Sequence, residues 1–299
     1  MAKYDYASVD GLGQAATVKE AVRITVVNYV HHQLGWSREK CEQRVEMELD
    51  RRIPKGLFDT KKKYRDWSLN GARLIDVGAG QGAGVLEALH RGANAHGIEP
   101  GPEFAALARR RLDEAGYDPE RVHETGGEEL PFPDESFDYA ISLRVLEHVE
   151  DPRPLLEEMY RVLRPGGEAV VRCENYLAFR EQHYRVPWLP MLPKSIGNVY
   201  LRAIGRDPSF LENYVYYTTY PQIWKISSGV GFENRTYEKI EEKAKSIEDI
   251  NSESYRIAGK ALQFLPKRIR RLLAVGWMHA TNLFTIGVNV HLTKPNVQL

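Results

Sequence analysis

The run Leu74 to Gly84, LIDVGAGQGAG, constrains this chain more than any other segment. Leu74, Ile75 and Val77 make a short apolar strand, and Gly78, Gly80, Gly82 and Gly84 follow at every second position. Glycine lets the backbone turn tightly and approach a ligand closely because it has no Cβ. In an open parallel sheet the ligand sits beyond the carboxyl ends of the strands, where the first strand hands over to its helix. The run therefore predicts a nucleotide-binding turn that opens a helix over Val85 to Leu89.

Its details choose among nucleotides. A dinucleotide fingerprint, G-x-G-x-x-G, would place a glycine at position 83, and this chain has Ala83 there. Asp76 lies two residues before the first glycine. The next strand, Ala95 to Ile98, ends in Glu99, about 23 residues on, near the distance at which an acid holds ribose hydroxyls. Two further blocks follow in order, LPFPDESFDYAISLRVLEHVEDP from Leu130 and LRPGG from Leu163.

With these blocks the chain resembles the class I S-adenosylmethionine-dependent methyltransferases, closely over Leu74 to Glu174 and loosely outside. It is most similar to the type 11-like branch that acts on small molecules, sugars and quinones. The resemblance implies an α/β fold, a Rossmann-like seven-stranded sheet with an antiparallel last strand, and S-adenosylmethionine as cofactor with S-adenosylhomocysteine as product. It also implies residue roles. Asp76 would accept from the methionine-side amine, Gly78, Ala79 and Gly80 would bring backbone close, and Gln81 would meet the carboxylate. Glu99 would hold the ribose, with Pro100 against the adenine. Where the family commonly has an Asp this chain has Gly126, which leaves Gly127 and Glu128 as backbone neighbours of the adenine. Leu143 and Arg144 would meet the methionine moiety, Arg144 alternatively an acidic substrate or a surface salt bridge.

The sulfonium methyl is already a strong electrophile, so a protein of this kind must chiefly align the acceptor and exclude water. An alcohol acceptor also has to lose a proton. His148, between the strand Phe137 to Leu143 and the Asp151-Pro152 helix start, is the candidate general base, the alternative being a histidine that only packs or caps the strand. Glu147 beside it would orient the ring or, as in some quinone-like members of the wider family, help bind a divalent metal. A single Glu-His pair is too few ligands for an ion, so no metal is expected.

Residues 1–70 read as a helical cap, with an apolar stripe at helical spacing over Val18 to Gln33 and a second, charged helix over Lys40 to Arg52, 71–174 as the cofactor-binding core, 175–217 as an aromatic insertion covering the substrate, and 218–299 as the rest of the core with a helical insertion at 240–280. The insertion supplies His183, Tyr184, Arg185, Trp188 and Tyr217 as candidate substrate residues, because flat apolar faces with polar edges suit sugar rings and nearly as well aromatic acceptors. His183-Tyr184 with Trp188 is also similar to methyltransferases of surface-glycan assembly. The competing expectation is that these aromatics form a small accessory core. The favoured reading is O-methylation of a sugar hydroxyl on a glycan, nucleotide sugar or lipid-linked saccharide. The alternatives are O- or C-methylation of a quinone, phenol or lipidic molecule, and a cofactor-binding protein without turnover.

A formal net charge of +0 over 299 residues argues against nucleic acid as a partner. Cys41 and Cys173 have no metal-ligand spacing and suggest a reduced, cytoplasmic setting. No apolar signal segment follows Met1, and no run approaches the length of a membrane span. Tyr255 to Leu273 reads as a basic amphipathic helix that either lies on anionic lipid, giving peripheral membrane contact, or turns its charges to water. The oligomeric state is left open.

Overall fold

A computed structural model describes residues 15–236 and 287–296. Strands β1 (Arg73–Val77), β2 (Asn94–Ile98), β3 (Val122–His123), β4 (Phe137–Leu143) and β5 (Leu163–Glu174) are joined through helices α4 (Ala83–His90), α5 (Pro102–Glu114) and α6 (Pro152–Val162). Ahead of them come α1 (Val18–Val26), α2 (Arg38–Leu49) and α3 (Arg52–Arg65). After β5 follow a small hairpin β6 (Arg180–Glu181) and β7 (Val186–Pro187), helices α7 (Lys194–Ala203), α8 (Ser209–Tyr214) and α9 (Tyr220–Val230), and strands β8 (Glu233–Asn234) and β9 (Gly287–Thr293).

The main sheet has seven strands in the order β3-β2-β1-β4-β5-β9-β8. Its first five run parallel, while β9 lies antiparallel to both β5 and β8. This is the seven-stranded α/β sheet expected, with its late strands reversed. Order reverses beside β1, so the crevice at the carboxyl ends of β1, β2 and β4 is where a ligand binds in such folds.

Burial on both faces explains why the strands are nearly continuous apolar runs. One face packs Ile75, Val77 and Val171 against Leu155, Leu156, Met159 and Ile223 of α6 and α9. The other packs Leu74, Ile141 and Val170 against Leu86, Leu89 and Leu112, with Trp67 stacked on Tyr139 at 4.2 Å between centroids. Asp151 accepts a hydrogen bond from the Arg153 amide at 3.0 Å and Pro152 begins α6, as the sequence proposes.

The cap differs from the expected pair of helices. The predicted helix Val18 to Gln33 becomes α1 followed by a π-helix, Val27–Gln33, which advances the register and turns Tyr29 inward. A third helix, α3, had no clear apolar periodicity. Lys62 and Lys63 sit exposed in its last turn, whereas Lys61 reaches His291 Nδ1 at 2.7 Å. Arg111 of α5 binds the cap to the core, reaching the carbonyls of Glu48 at 2.5 Å and Gln81 at 3.4 Å. The insertion at 240–280 and the helix Tyr255 to Leu273 lie outside the described residues. Among the described residues no helix is long and apolar enough to cross a membrane.

Close approach of α4 to the sheet depends on Gly97 in β2. A Cβ there would lie 2.7 Å from Val85 Cγ2 and 2.9 Å from Ala79 Cβ. Gly97→Ala should therefore push α4 outward and destabilise the protein by about 1–3 kcal/mol, read as a lowered urea midpoint with an unchanged slope.

Candidate active site

Backbone geometry at the end of β1 sets the site. The amides of Gly78 and Ala79 both donate to the carbonyl of Ile98, at 2.9 and 2.8 Å, which ties the turn to the end of β2. Gly78 has φ +83° and Gly80 φ +54°, the left-handed region where a Cβ is disfavoured. At Gly78 a Cβ would run into Val145, whereas at Gly80 it would meet nothing within 4 Å. The backbone at Gly80 therefore faces open space.

Glu99 closes the turn from β2. Its Oε2 accepts from the Gly80 amide at 2.8 Å and its Oε1 from the Gly101 amide at 2.9 Å. Each oxygen keeps a second lone pair for a ligand hydroxyl. Burial raises its pKa while those two N–H groups work against the rise. Asp76, in register with Gly97 and Ile141, is buried with its carboxylate against Gly84. Burial, with Glu99 as the nearby like charge, pushes its pKa up to about 7.

A single cavity of about 300 Å³ runs from this turn toward the cap and insertion. Of the sequence-derived residues, Asp76, Gly78, Ala79, Gly80, Gln81, Glu99, Pro100, Leu143, Arg144, His148 and His183 line it. The wall opposite the turn comes from Tyr214, one of the insertion aromatics, and from residues the sequence did not single out: Tyr29 and Trp36 of the cap and Phe210 of α8. They escaped notice because only long-range packing brings them to the cofactor turn. The single local hint was an aromatic inside the first helical stripe.

Several candidates lie elsewhere. Gly127 packs where a Cβ would be 2.8 Å from Val77 Cγ1 and 2.9 Å from Leu155 Cδ1, so it serves helix packing. Glu128 is exposed, outside the cavity lining. Tyr184 is fully buried and donates its hydroxyl to the Asp207 carbonyl at 2.7 Å. Trp188 is buried with Leu201, Phe210 and Leu211, and Tyr217 donates to the Leu192 carbonyl at 2.7 Å while stacking on Tyr176. Arg185 lies over the Trp36 ring at 3.6 Å, behind the cavity wall. An insertion this rich in large rings needs a core of its own, and these residues build it.

At the far end, Arg144 takes a left-handed φ of +65° and its guanidinium donates to Glu174 at 2.9 Å, the salt-bridge alternative of the sequence reading. A non-glycine residue held in that region marks stored strain, which concentrates at ligand sites. Glu147, His148 and His183 meet beside it, one ligand-type atom of each lying within 4.8 Å of the others. His183 arrives from the insertion, so three ligand-type side chains meet where the sequence offered only the Glu-His pair. His148 Nδ1–H donates to the Tyr214 carbonyl at 2.6 Å, and His183 Nδ1–H to Glu181 Oε1 at 2.9 Å. Burial, with His183 next in weight, pulls the His148 pKa down to about 3, so the ring is neutral and by itself a weak base. Burial also works to lower the His183 pKa, but the Glu181 carboxylate outweighs it and the pKa is raised. Glu147 goes the other way. Burial and Glu174 push it up to about 7.

The family described as a methyltransferase domain matches residues 75–171. Demethylmenaquinone methyltransferase of Tropheryma whipplei is 31% identical over 179 residues, covering 57% of this chain and 70% of that protein. The chain belongs to the S-adenosylmethionine-dependent methyltransferases. Phosphatidylethanolamine N-methyltransferase of Cereibacter sphaeroides is 36% identical over 102 residues, covering 34% of this chain, which spans only 50% of that protein. In fold, the chain resembles Haemonchus contortus phosphoethanolamine N-methyltransferase 2, solved with phosphomonomethylethanolamine and S-adenosylhomocysteine, at TM-score 0.50 and 19% identity. That match covers 96% of this chain and 60% of the other.

The turn fits the family's cofactor on its own geometry. Gly80 offers an open cradle, Glu99 offers one lone pair on each oxygen, and the buried Gln81 Oε1 has no hydrogen-bond partner among the described residues. Such an orphaned acceptor is costly unless a ligand donor completes it.

Ionising Asp76 in this setting opposes folding. Its folded pKa of about 7 exceeds the ordinary carboxylate value of 3.8, so the folded chain holds a proton that the unfolded chain releases. Stability should fall as pH rises from about 4 to about 7 and level off above. Asp76→Asn removes that penalty. Its melting temperature should match wild type near pH 4 and exceed it by a few degrees at pH 8, read by thermal denaturation of the ligand-free protein.

Proposed function

We propose that the protein transfers a methyl group from S-adenosylmethionine to a hydroxyl oxygen on an apolar, ring-bearing acceptor of the phenol or quinol class. The observation that carries this reading is the continuity of one cavity. It joins the Asp76–Gln81 turn to a wall of Tyr29, Trp36, Phe210 and Tyr214, with Glu147, His148 and His183 gathered where the two halves meet.

In this reading Asp76 accepts from the cofactor's amine, Glu99 holds the ribose hydroxyls, and Pro100 with Phe104 borders the adenine. Gln81 Oε1 takes one ligand donor, and Leu143 and Arg144 border the methionine end. The cofactor supplies an electrophilic methyl on sulfur. The chain's own residues align the acceptor oxygen behind it and keep water out. Alignment and removal of competing solvent are the largest contributions such a site can make. His148 does not serve as a free-standing base here because burial keeps it neutral and weakly basic. It instead orients the acceptor end together with His183, and the proton that the acceptor hydroxyl loses passes to this buried cluster, where burial and Glu174 push the pKa of the Glu147 carboxylate up to about 7.

The packing of Tyr184, Trp188 and Tyr217 into an accessory core takes support from the saccharide reading and leaves the acceptor wall to other rings. The quinone acceptor named for the Tropheryma whipplei relative supports the ring-acceptor reading. Phe210 adds to it, its ring packing edge-on against Tyr29 at 5.2 Å and tilted against His183 at 5.1 Å, which gives an apolar aromatic surface at the acceptor end.

Labelled methyl from S-adenosylmethionine should appear on phenols and quinols and not on a panel of saccharides. Phe210→Leu should raise the acceptor KM several-fold while S-adenosylhomocysteine affinity, measured by calorimetry, stays as in wild type. Transfer to saccharides alone would restore the glycan reading, and cofactor binding without transfer to any acceptor would favour a protein without turnover. Asp76→Asn, despite its gain in stability, should bind S-adenosylhomocysteine more weakly. Wild-type affinity should fall below pH 7 as the carboxylate takes up its proton, and the variant should show a flatter profile.

A further inference from the structure

We infer that Glu147, His148 and His183 form a binding site for one divalent transition-metal ion, facing the acceptor end of the cavity. The site itself stands on geometry. Only the identity of the ion's outer ligand, an acceptor hydroxyl oxygen, rests on the function proposed above.

Three observations converge. First, the ligand-type atoms of the three residues lie within 4.8 Å of one another, and the two imidazole centroids are 5.4 Å apart. Coordination at about 2.0–2.2 Å asks these atoms to close by roughly an ångström, a movement that side-chain torsions supply. Second, Glu147 is fully buried, and among the described residues neither of its carboxylate oxygens has a hydrogen-bond partner in another residue. A buried carboxylate left in that state is among the costliest arrangements a fold can keep. A cation between it and the two rings removes the cost.

Third, both rings are already oriented as metal ligands usually are. A histidine that binds a metal typically donates its other ring N–H to a carboxylate or a backbone carbonyl, which fixes tautomer and direction. His183 donates to Glu181 and His148 to the Tyr214 carbonyl. With Nδ1 the donor in each ring, Nε2 carries the lone pair. Glu181 is itself held by the Tyr184 amide at 2.6 Å and the Tyr176 hydroxyl at 3.0 Å, so the support extends one layer further.

Charge points the same way. Glu147, Glu174 and Glu181 are buried around the cluster, and Arg144 is the guanidinium bonded to Glu174. Metal ligation requires both imidazoles to be neutral, and in that state three carboxylates and one guanidinium leave two negative charges, the complement of a divalent ion. Two nitrogens and one carboxylate suit zinc, cobalt or iron(II) better than magnesium, which prefers an all-oxygen shell. Three protein ligands leave positions open toward the cavity, where an acceptor oxygen can bind.

The test uses the full chain, stripped with a chelator and titrated separately with Zn²⁺, Co²⁺ and Mg²⁺. Wild type should take up one equivalent of Zn²⁺ by calorimetry, show visible absorption bands with Co²⁺, and ignore Mg²⁺. Glu147→Gln and His183→Ala should each weaken Zn²⁺ binding on the order of a hundredfold or more. Both should keep wild-type affinity for S-adenosylhomocysteine, which shows the fold intact. Wild-type protein that binds S-adenosylhomocysteine but takes up no stoichiometric Zn²⁺ or Co²⁺ would overturn the site, and so would uptake that survives both substitutions. Stoichiometric uptake together with inactivity toward every phenol supports the ion site while defeating the acceptor reading, so the two fail separately.

Discussion

The carboxyl edge of this sheet is governed by the cost of keeping five carboxylates dry. Asp76, Glu99, Glu147, Glu174 and Glu181 are all buried there. Glu174 is answered by Arg144 and Glu181 by His183, but among the described residues Asp76, Glu99 and Glu147 form no salt bridge. Glu99 is offset by two backbone amides. Asp76 and Glu147 are not, and both pKa values rise to about 7. A fold that tolerates two such groups in one cavity spends stability to hold them ready for ligands that carry positive charge or donate hydrogen bonds. The sulfonium and ammonium groups of the family's cofactor answer the first, and a divalent ion answers the second.

The cofactor half of the site was legible in the sequence because it is built locally. Asp76 to Gly84 is a continuous run, and Glu99 is one strand away in register, so spacing alone places these side chains at one sheet edge. The acceptor half was not legible, for a physical reason. Tyr29 reaches the cavity from the π-helix that ends the first helix, and Phe210 from the insertion, which is fastened to the loop after β4. Composition identified the insertion as aromatic but not which rings stay wet. Tyr184, Trp188 and Tyr217 were the conspicuous residues, and conspicuous rings in a short insertion are the ones it needs for its own core. His183 was singled out as a substrate residue, but its partnership with Glu147 and His148 depends on a contact between segments far apart in the chain.

The acceptor wall is held by backbone carbonyls. His148 donates to the carbonyl of Tyr214, the Tyr216 amide donates to the carbonyl of Glu147 at 2.7 Å, and the Trp36 indole donates to the carbonyl of His183 at 2.7 Å. The first two fasten the insertion to the loop after β4, and the third fastens the cap to the insertion. None depends on the identity of the residue that supplies the carbonyl. The cap and insertion can therefore change side chains, and with them the acceptor, while the frame that aligns acceptor and cofactor is kept. In-line transfer requires that alignment whatever the acceptor is. The division of labour follows: a locally encoded turn that fixes the cofactor, and a wall assembled from distant segments that sets specificity without disturbing it.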